Sequence, residues 1–180
     1  MLHPGIARRL RLTWLCLVAG ISIHGAYGAE KVYMEAADFA ASAFSTPSPQ
    51  THVLWLTPEL RATAVRILGH EPAQLRQKYW NEGKKTVWIL EEIGKEEVIT
   101  AGFVVQDGHI EQTRVLTYRE SRGDEIRYPA FLNQFQGATL ADDNHLNRRI
   151  DGISGATLSV NAMVRMSRLA LYFAKMAEAK

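Results

Sequence analysis

The residues best suited to chemistry form one short run, Asp151–Gly152–Ile153–Ser154–Gly155–Ala156–Thr157. Gly155 and Ala156 remove side-chain bulk, and a glycine can take positive φ, so a ligand can approach the backbone closely. From Leu158 to about Ala179 the sequence is helical in character, which puts Thr157 at or beside the helix N-cap. Unpaired N–H groups and the positive end of the helix dipole make that place favourable for a phosphate. A hydroxyl there can attack a phosphoryl group and leave a stable ester, while loop amides neutralise charge on the phosphate. The plainer reading is a Ser/Thr helix cap after a glycine turn, without a ligand. The complete string decides for the ligand, since average residue usage would produce it roughly once in a thousand chains of this length.

A second, weaker pair of segments lies upstream: Tyr118–Arg119–Glu120–Ser121–Arg122–Gly123 and Gln134–Phe135–Gln136–Gly137. Together with the D-x-x-[ST]-G-A-T pattern of residues 151–157, these resemble the FMN-binding domain family. That family includes flavin-carrying components of the sodium-pumping NADH:quinone oxidoreductase and of the Rnf electron-transport complex, as well as small exported single-domain relatives. The resemblance runs from about Tyr79 to Ala174. It implies that a flavin transferase moves FMN from FAD onto Thr157 through a phosphoester bond. It gives Asp151 a role in attachment rather than redox chemistry, and puts Ser154 where a small hydroxyl meets the phosphate or the turn. Glu120 matches the acidic residue of a Glu-Thr-Pro-Gly segment near the flavin, although Ser121, Arg122 and Gly123 replace the other three. The candidate FMN-binding set is therefore Asp151, Ser154, Gly155, Ala156, Thr157, Leu158 and Glu120, with no catalytic or metal-ligating residue.

The elements that must position this run are legible in part. Thr57, Pro58 and Gly69 bracket a helix whose apolar residues Leu60, Ala64, Ile67 and Leu68 fall at helical spacing. A short helix is expected within Glu30–Ala43, a turn or spacer at Thr46–Pro49, and a second short helical piece over Gln74–Trp80. Thr86–Glu91, Glu97–Val105 and Ile110–Leu116 read as three strands, joined at Gly94–Lys95 and at the strong turn signal Asp107–Gly108. A short helix over Pro129–Phe135 and a loop from Thr139 to Ile150 lead to the motif. Val160, Met163, Val164, Ser167, Leu171 and Ala174 line one face of the last helix, which should pack on the sheet. The fold class expected is α+β, an antiparallel meander packed with helices, with a C-terminal helix following the FMN-attachment loop.

The N-terminus reads as a targeting segment. Arg8, Arg9 and Arg11 precede a short apolar stretch, Leu12–Ile23, and Ala26–Tyr27–Gly28 supplies small residues for a signal peptidase. The division expected is a signal peptide over 1–28, an N-terminal helical or linker segment over 29–78, and the FMN-binding domain over 79–180. An uncleaved membrane anchor is the alternative. Cys16 follows Leu15 rather than a small residue, which argues against lipidation. Removing the segment takes away this single cysteine and three of the 21 basic residues, leaving 18 basic against 19 acidic. No dense basic patch remains, so a nucleic-acid partner is not expected.

The six histidines show no pair at ligand spacing, and His52, His70, His109 and His145 read as surface residues. Asp142–Asp143 reads as a solvated loop pair. Ser154 has no G-x-S-x-G context and no histidine base, and no Rossmann glycine pattern is present. Trp55, Trp80 and Trp88 are core or interface candidates. Arg119, Arg122 and Arg127 cluster around Glu120, either as a solvated turn or with one arginine near the flavin's N1–C2=O edge.

These readings lead to a periplasmic or otherwise extracytoplasmic flavoprotein with FMN esterified to Thr157. It is expected to carry electrons from a membrane redox partner, such as a flavocytochrome, a ferric-reductase-like protein or a respiratory complex, to an extracytoplasmic acceptor. The rivals are a self-contained FMN-dependent reductase of a small substrate and a binding or assembly module with a vestigial motif.

Overall fold

Each tight turn in the β-rich half has a residue suited to its backbone, and the strands pair accordingly. The computed structural model describes residues 30–45 and 49–179. Asp107 and Gly108 both take positive φ, 49° and 74°, which gives a two-residue hairpin twisted in the same sense as its strands. It joins β5 (Val98–Gln106) to β6 (His109–Tyr118). Gly83 (φ 61°) opens the equivalent turn between β3 (Arg76–Glu82) and β4 (Lys85–Ile93). Residues 94–97 turn β4 into β5, closed by a bond from Gly94 N–H to the Glu97 carbonyl at 3.0 Å. With β1 (Lys31–Val32) and β2 (Gln50–Trp55), these strands make one sheet of order β1-β6-β5-β4-β3-β2. Every pairing is antiparallel.

The helices cover the two faces unequally. On one face α1 (Ala36–Ala43) packs Phe39 and Ala40 on Val87, Val104 and Leu116. Phe39 lies directly on Gly102, where a Cβ would overlap the ring, so that glycine is required by close approach. The other face carries the larger core, formed with α2 (Pro58–Leu68) and α4 (Thr157–Glu178). The α2 boundaries are chemical. The Thr57 hydroxyl accepts from Leu60 N–H at 3.4 Å, Pro58 opens the helix, and Gly69 closes it at φ 84°. On α4 the expected face is buried except for the half-buried Val164, and Met166, Leu169, Ala170 and Phe173 widen it. Trp88, fully buried, stacks on Tyr79 at 4.5 Å between ring centroids and meets Phe173 at 5.6 Å.

The α+β architecture, the meander and the C-terminal helix are as expected from the sequence. One local reading changes, and three local details are refined or added. Residues 74–80, read as helical, contain the start of β3, because pairing with β2 and β4 on both sides outweighs the helical spacing of Leu75 and Tyr79. The helix expected within Glu30–Ala43 is confined to 36–43 and is preceded by the short strand β1. Strand β2 is an addition. Trp55, a core or interface candidate, is 59 % exposed on that edge strand, with the Arg76 guanidinium 6.0 Å from its ring centre.

After β6 the chain forms a short 3-10 turn (Asp124–Arg127), then α3 (Pro129–Leu132) and a second 3-10 turn (Asn133–Phe135). Phe131 and Phe135 anchor this segment edge to face, at 5.4 Å. The loop to α4 is closed by a bridge between Leu140 and Leu146. No described helix is long and apolar enough to cross a membrane. The targeting segment and residues 46–48 of the expected spacer lie outside the described residues.

Candidate functional site

Three pieces of backbone converge at the N-terminal end of α4: the 94–97 turn, the loop after β6 and the first turn of the helix itself. The cleft between them has a volume of about 490 Å³, within the range of small-molecule sites. Lys95, Glu96, Glu120 and Arg122 form one side, and Gly155, Ala156, Thr157 and Leu158 the other.

Thr157 is the first helical residue of α4 and is exposed. The N-cap is Ala156, whose methyl cannot accept a hydrogen bond, so no side chain caps this 22-residue helix. Its first amides therefore lie at the cleft with the dipole's positive end and, among the described residues, no side-chain acceptor. Gly155 takes φ 82°, and a Cβ built there meets only open space, so the backbone itself forms the cleft surface. Of the cations in the lining, Lys95 pairs with Glu96 at 3.0 Å, whereas Arg122 has no carboxylate partner among the described residues.

The opposite wall is held by a buried carboxylate. One oxygen of Glu120 accepts the backbone N–H groups of Lys95, Glu96 (2.8 Å) and Glu97 (3.1 Å). Glu120 is 6 % exposed, so burial opposes its charge. The three amide bonds outweigh that, and its carboxyl titrates below the ordinary glutamate range. Glu120 thus shapes the 94–97 turn through this one oxygen.

Tyr118 ties the loop to the helix. Its hydroxyl donates to the Arg122 carbonyl at 2.5 Å and lies 3.1 Å from the Ser159 hydroxyl on α4. Burial, chiefly, raises the phenol's pKa and keeps it protonated. Gly123 (φ 87°) packs against this pair, and a Cβ there would stand 2.9 Å from the Tyr118 oxygen.

The sequence-derived residues are distributed as follows. Glu120, Gly155, Ala156, Thr157 and Leu158 line the cleft. Ser154 and Asp151 are exposed and outside that lining, and the Asp151 N–H donates to Gln134 at 2.7 Å. Arg119 turns away to Glu30 at 2.8 Å and to Thr100, and Arg127 stacks over Tyr33 and Tyr128. Only Arg122 of the arginine cluster reaches the cleft. Ser159 and Lys95 are additions, as is the contact of Tyr118 with Ser159. Tyr118 and Ser159 are 41 residues apart, beyond the reach of any local pattern. Among the described residues no group of three or more His, Cys, Asp or Glu side chains is placed to hold a metal ion.

The fold is a small α+β domain in which an antiparallel sheet backs a helix whose uncapped N-terminus lies at a cleft, a place electrostatically favourable to an anion. Residues 94–172 match the family model of the FMN-binding domain, a match that supports FMN as the cofactor. The matched stretch begins at the 94–97 turn and includes both walls of the cleft. No curated protein matches the chain closely enough to count as a relative.

Proposed function

We propose that this protein is an exported electron-transfer flavoprotein whose FMN is linked by a phosphoester to Thr157. The observation that carries the reading is the position of Thr157. An exposed hydroxyl at the first residue of an uncapped helix, inside an FMN-binding domain, lines a cleft of suitable size. On a flavin transferase the hydroxyl loses its proton and attacks the FMN phosphorus of FAD, forming the Thr157 phosphoester as the pyrophosphate bond breaks and AMP leaves. The free amides at residues 157–159 and the Arg122 guanidinium are the groups suited to the phosphate. Asp151, exposed beside the motif, is available to the transferase rather than to the bound flavin.

Bound FMN supplies two-electron chemistry that can be divided into single-electron transfers. The chain contributes attachment, partial burial and charge. A carrier role is favoured over a self-contained reductase by the side chains nearest the cleft. Three amides hold Glu120 as the carboxylate and the Tyr118 O–H donates to the Arg122 carbonyl, so neither is a free proton donor to a substrate. A covalent link also removes dissociation where free FMN is scarce, outside the cytosol. The proposed donor is a membrane redox protein such as a flavocytochrome, a ferric-reductase-like protein or a respiratory complex, and the acceptor is extracytoplasmic.

Coexpression with a flavin transferase tests the attachment. Thr157→Ala should carry no covalent flavin in a denaturing gel, while Thr157→Ser should retain it. Full loading of the alanine variant would reassign the attachment residue.

A further inference from the structure

Two carboxylates are buried among the described residues, and the cleft uses only Glu120. The other, Glu92 near the end of β4, is 4 % exposed. One of its oxygens accepts from His70 Nε2 at 2.9 Å and from Arg165 Nη2 at 3.0 Å. The second oxygen lies 3.1 Å from the same histidine nitrogen. The other ring nitrogen, Nδ1, is 2.9 Å from the Glu71 carbonyl. A carbonyl and a carboxylate both only accept, so both ring nitrogens must donate, and the imidazolium is the form that fits.

The cluster joins three elements. His70 follows the C-cap of α2, Glu92 belongs to β4, and Arg165 belongs to α4. Arg165 also donates to the Ile93 carbonyl at 3.3 Å, one residue before the turn that forms a cleft wall. It stands eight residues past Thr157, about 12 Å along the same helix at the usual rise per residue. None of the three side chains lines the FMN cleft.

We propose that His70, Glu92 and Arg165 are positioning residues that set the 94–97 turn against the first turn of α4, and that loss of the His70 proton loosens this wall of the cleft. The proposal rests on the cleft being the FMN site only in its consequence for the flavin. The charges facing His70 are Glu71, whose carboxylate is taken by Arg61 at 2.8 Å, together with Glu92 on β4 and Arg165 on α4. The bond to the Glu71 carbonyl, then the bond to Glu92, raise the imidazole pKa, against burial and the Arg165 charge. A neutral ring keeps a single N–H. It must release either the Glu71 carbonyl or Glu92, and where Glu92 is released it is left with Arg165 alone.

The test is an NMR titration of the full chain produced without a flavin transferase, between about pH 5 and 9, where histidine is the side chain that ordinarily titrates. The His70 ring and the Lys95, Glu96 and Glu97 amides are followed together. The expected result is a shared midpoint, lost from the three amides in His70→Gln and moved downward for His70 in Glu92→Gln. Amides that stay still while His70 titrates, or that keep their step in His70→Gln, would overturn the proposal. The flavin-loaded protein adds an independent arm, in which a pH step in flavin emission should disappear in His70→Gln. Coupled amides in a chain that never loads flavin would sustain the clamp and reject the FMN assignment. Loaded protein with uncoupled amides would do the reverse.

Discussion

At the mouth of α4 the first amides have no side-chain acceptor, whereas the amides of the 94–97 turn converge on Glu120. The same backbone chemistry is left open for a ligand on one wall and closed internally on the other. Replacing Glu120 with Gln removes a charged acceptor from a buried site, with an expected cost on the order of 1–3 kcal/mol at neutral pH. The sign of its pH dependence follows from a folded pKa below the unfolded one. The stabilisation is present above the unfolded value, about 4.3, and is lost as pH falls through the folded value. Denaturant unfolding of the two proteins should therefore differ at neutral pH and converge in acid. Tyr118→Phe should cost about 1 kcal/mol or more by leaving the buried Ser159 hydroxyl and the Arg122 carbonyl short of a partner. It should also broaden the amide signals of residues 119–123. At this scale Thr157, Gly155 and the helix start were legible, because glycine freedom and helix-end electrostatics are local. The binding partners of Glu120 were not, since the amides it meets are more than 20 residues away.

Among the elements, those with turn chemistry at both ends could be read directly. Asp107–Gly108 and the Thr57–Pro58 and Gly69 caps carry their own φ preferences and hydrogen-bond groups, so strand and helix limits followed. Residues 74–80, which overlap the start of β3, look helical in sequence because they lack β-branched residues and place Leu75 and Tyr79 four apart. The strand state of β3 comes from neighbours on both sides, β2 lying beyond α2 in sequence and so giving no hairpin signal. The contact of α1 with the sheet was equally hidden, since nothing local matches Phe39 to Gly102. Gly102→Ala should displace the ring and destabilise by about 1–3 kcal/mol, the usual cost of overpacking. In the Phe39→Ala background the same change should cost less, a non-additivity that a double-mutant cycle in urea would measure.

Over the whole molecule, the FMN-binding match begins only at Gly94, yet β2, β3 and β4 continue the same sheet and α2 packs against α4. The His70–Glu92–Arg165 cluster is one place where this additional part is fastened to the matched part. The folded imidazole pKa is raised, so its contribution to stability is fully present below the unfolded value of about 6.5 and is lost as pH rises through the folded value. His70→Ala should lower the melting temperature at pH near 6 and have little effect well above the folded value, as scanning calorimetry would show. The ring is half exposed, so the sign and the pH window are what the experiment tests. The proposals of export and of redox partners belong to this scale and rest on residues 1–28 and on family resemblance. The most direct measurement is intact mass with peptide mapping on protein exported from a host that carries a flavin transferase. The expected result is an added mass of FMN minus water on the peptide containing Thr157. An unmodified peptide, from a host that flavinylates a known substrate, would contradict the covalent assignment.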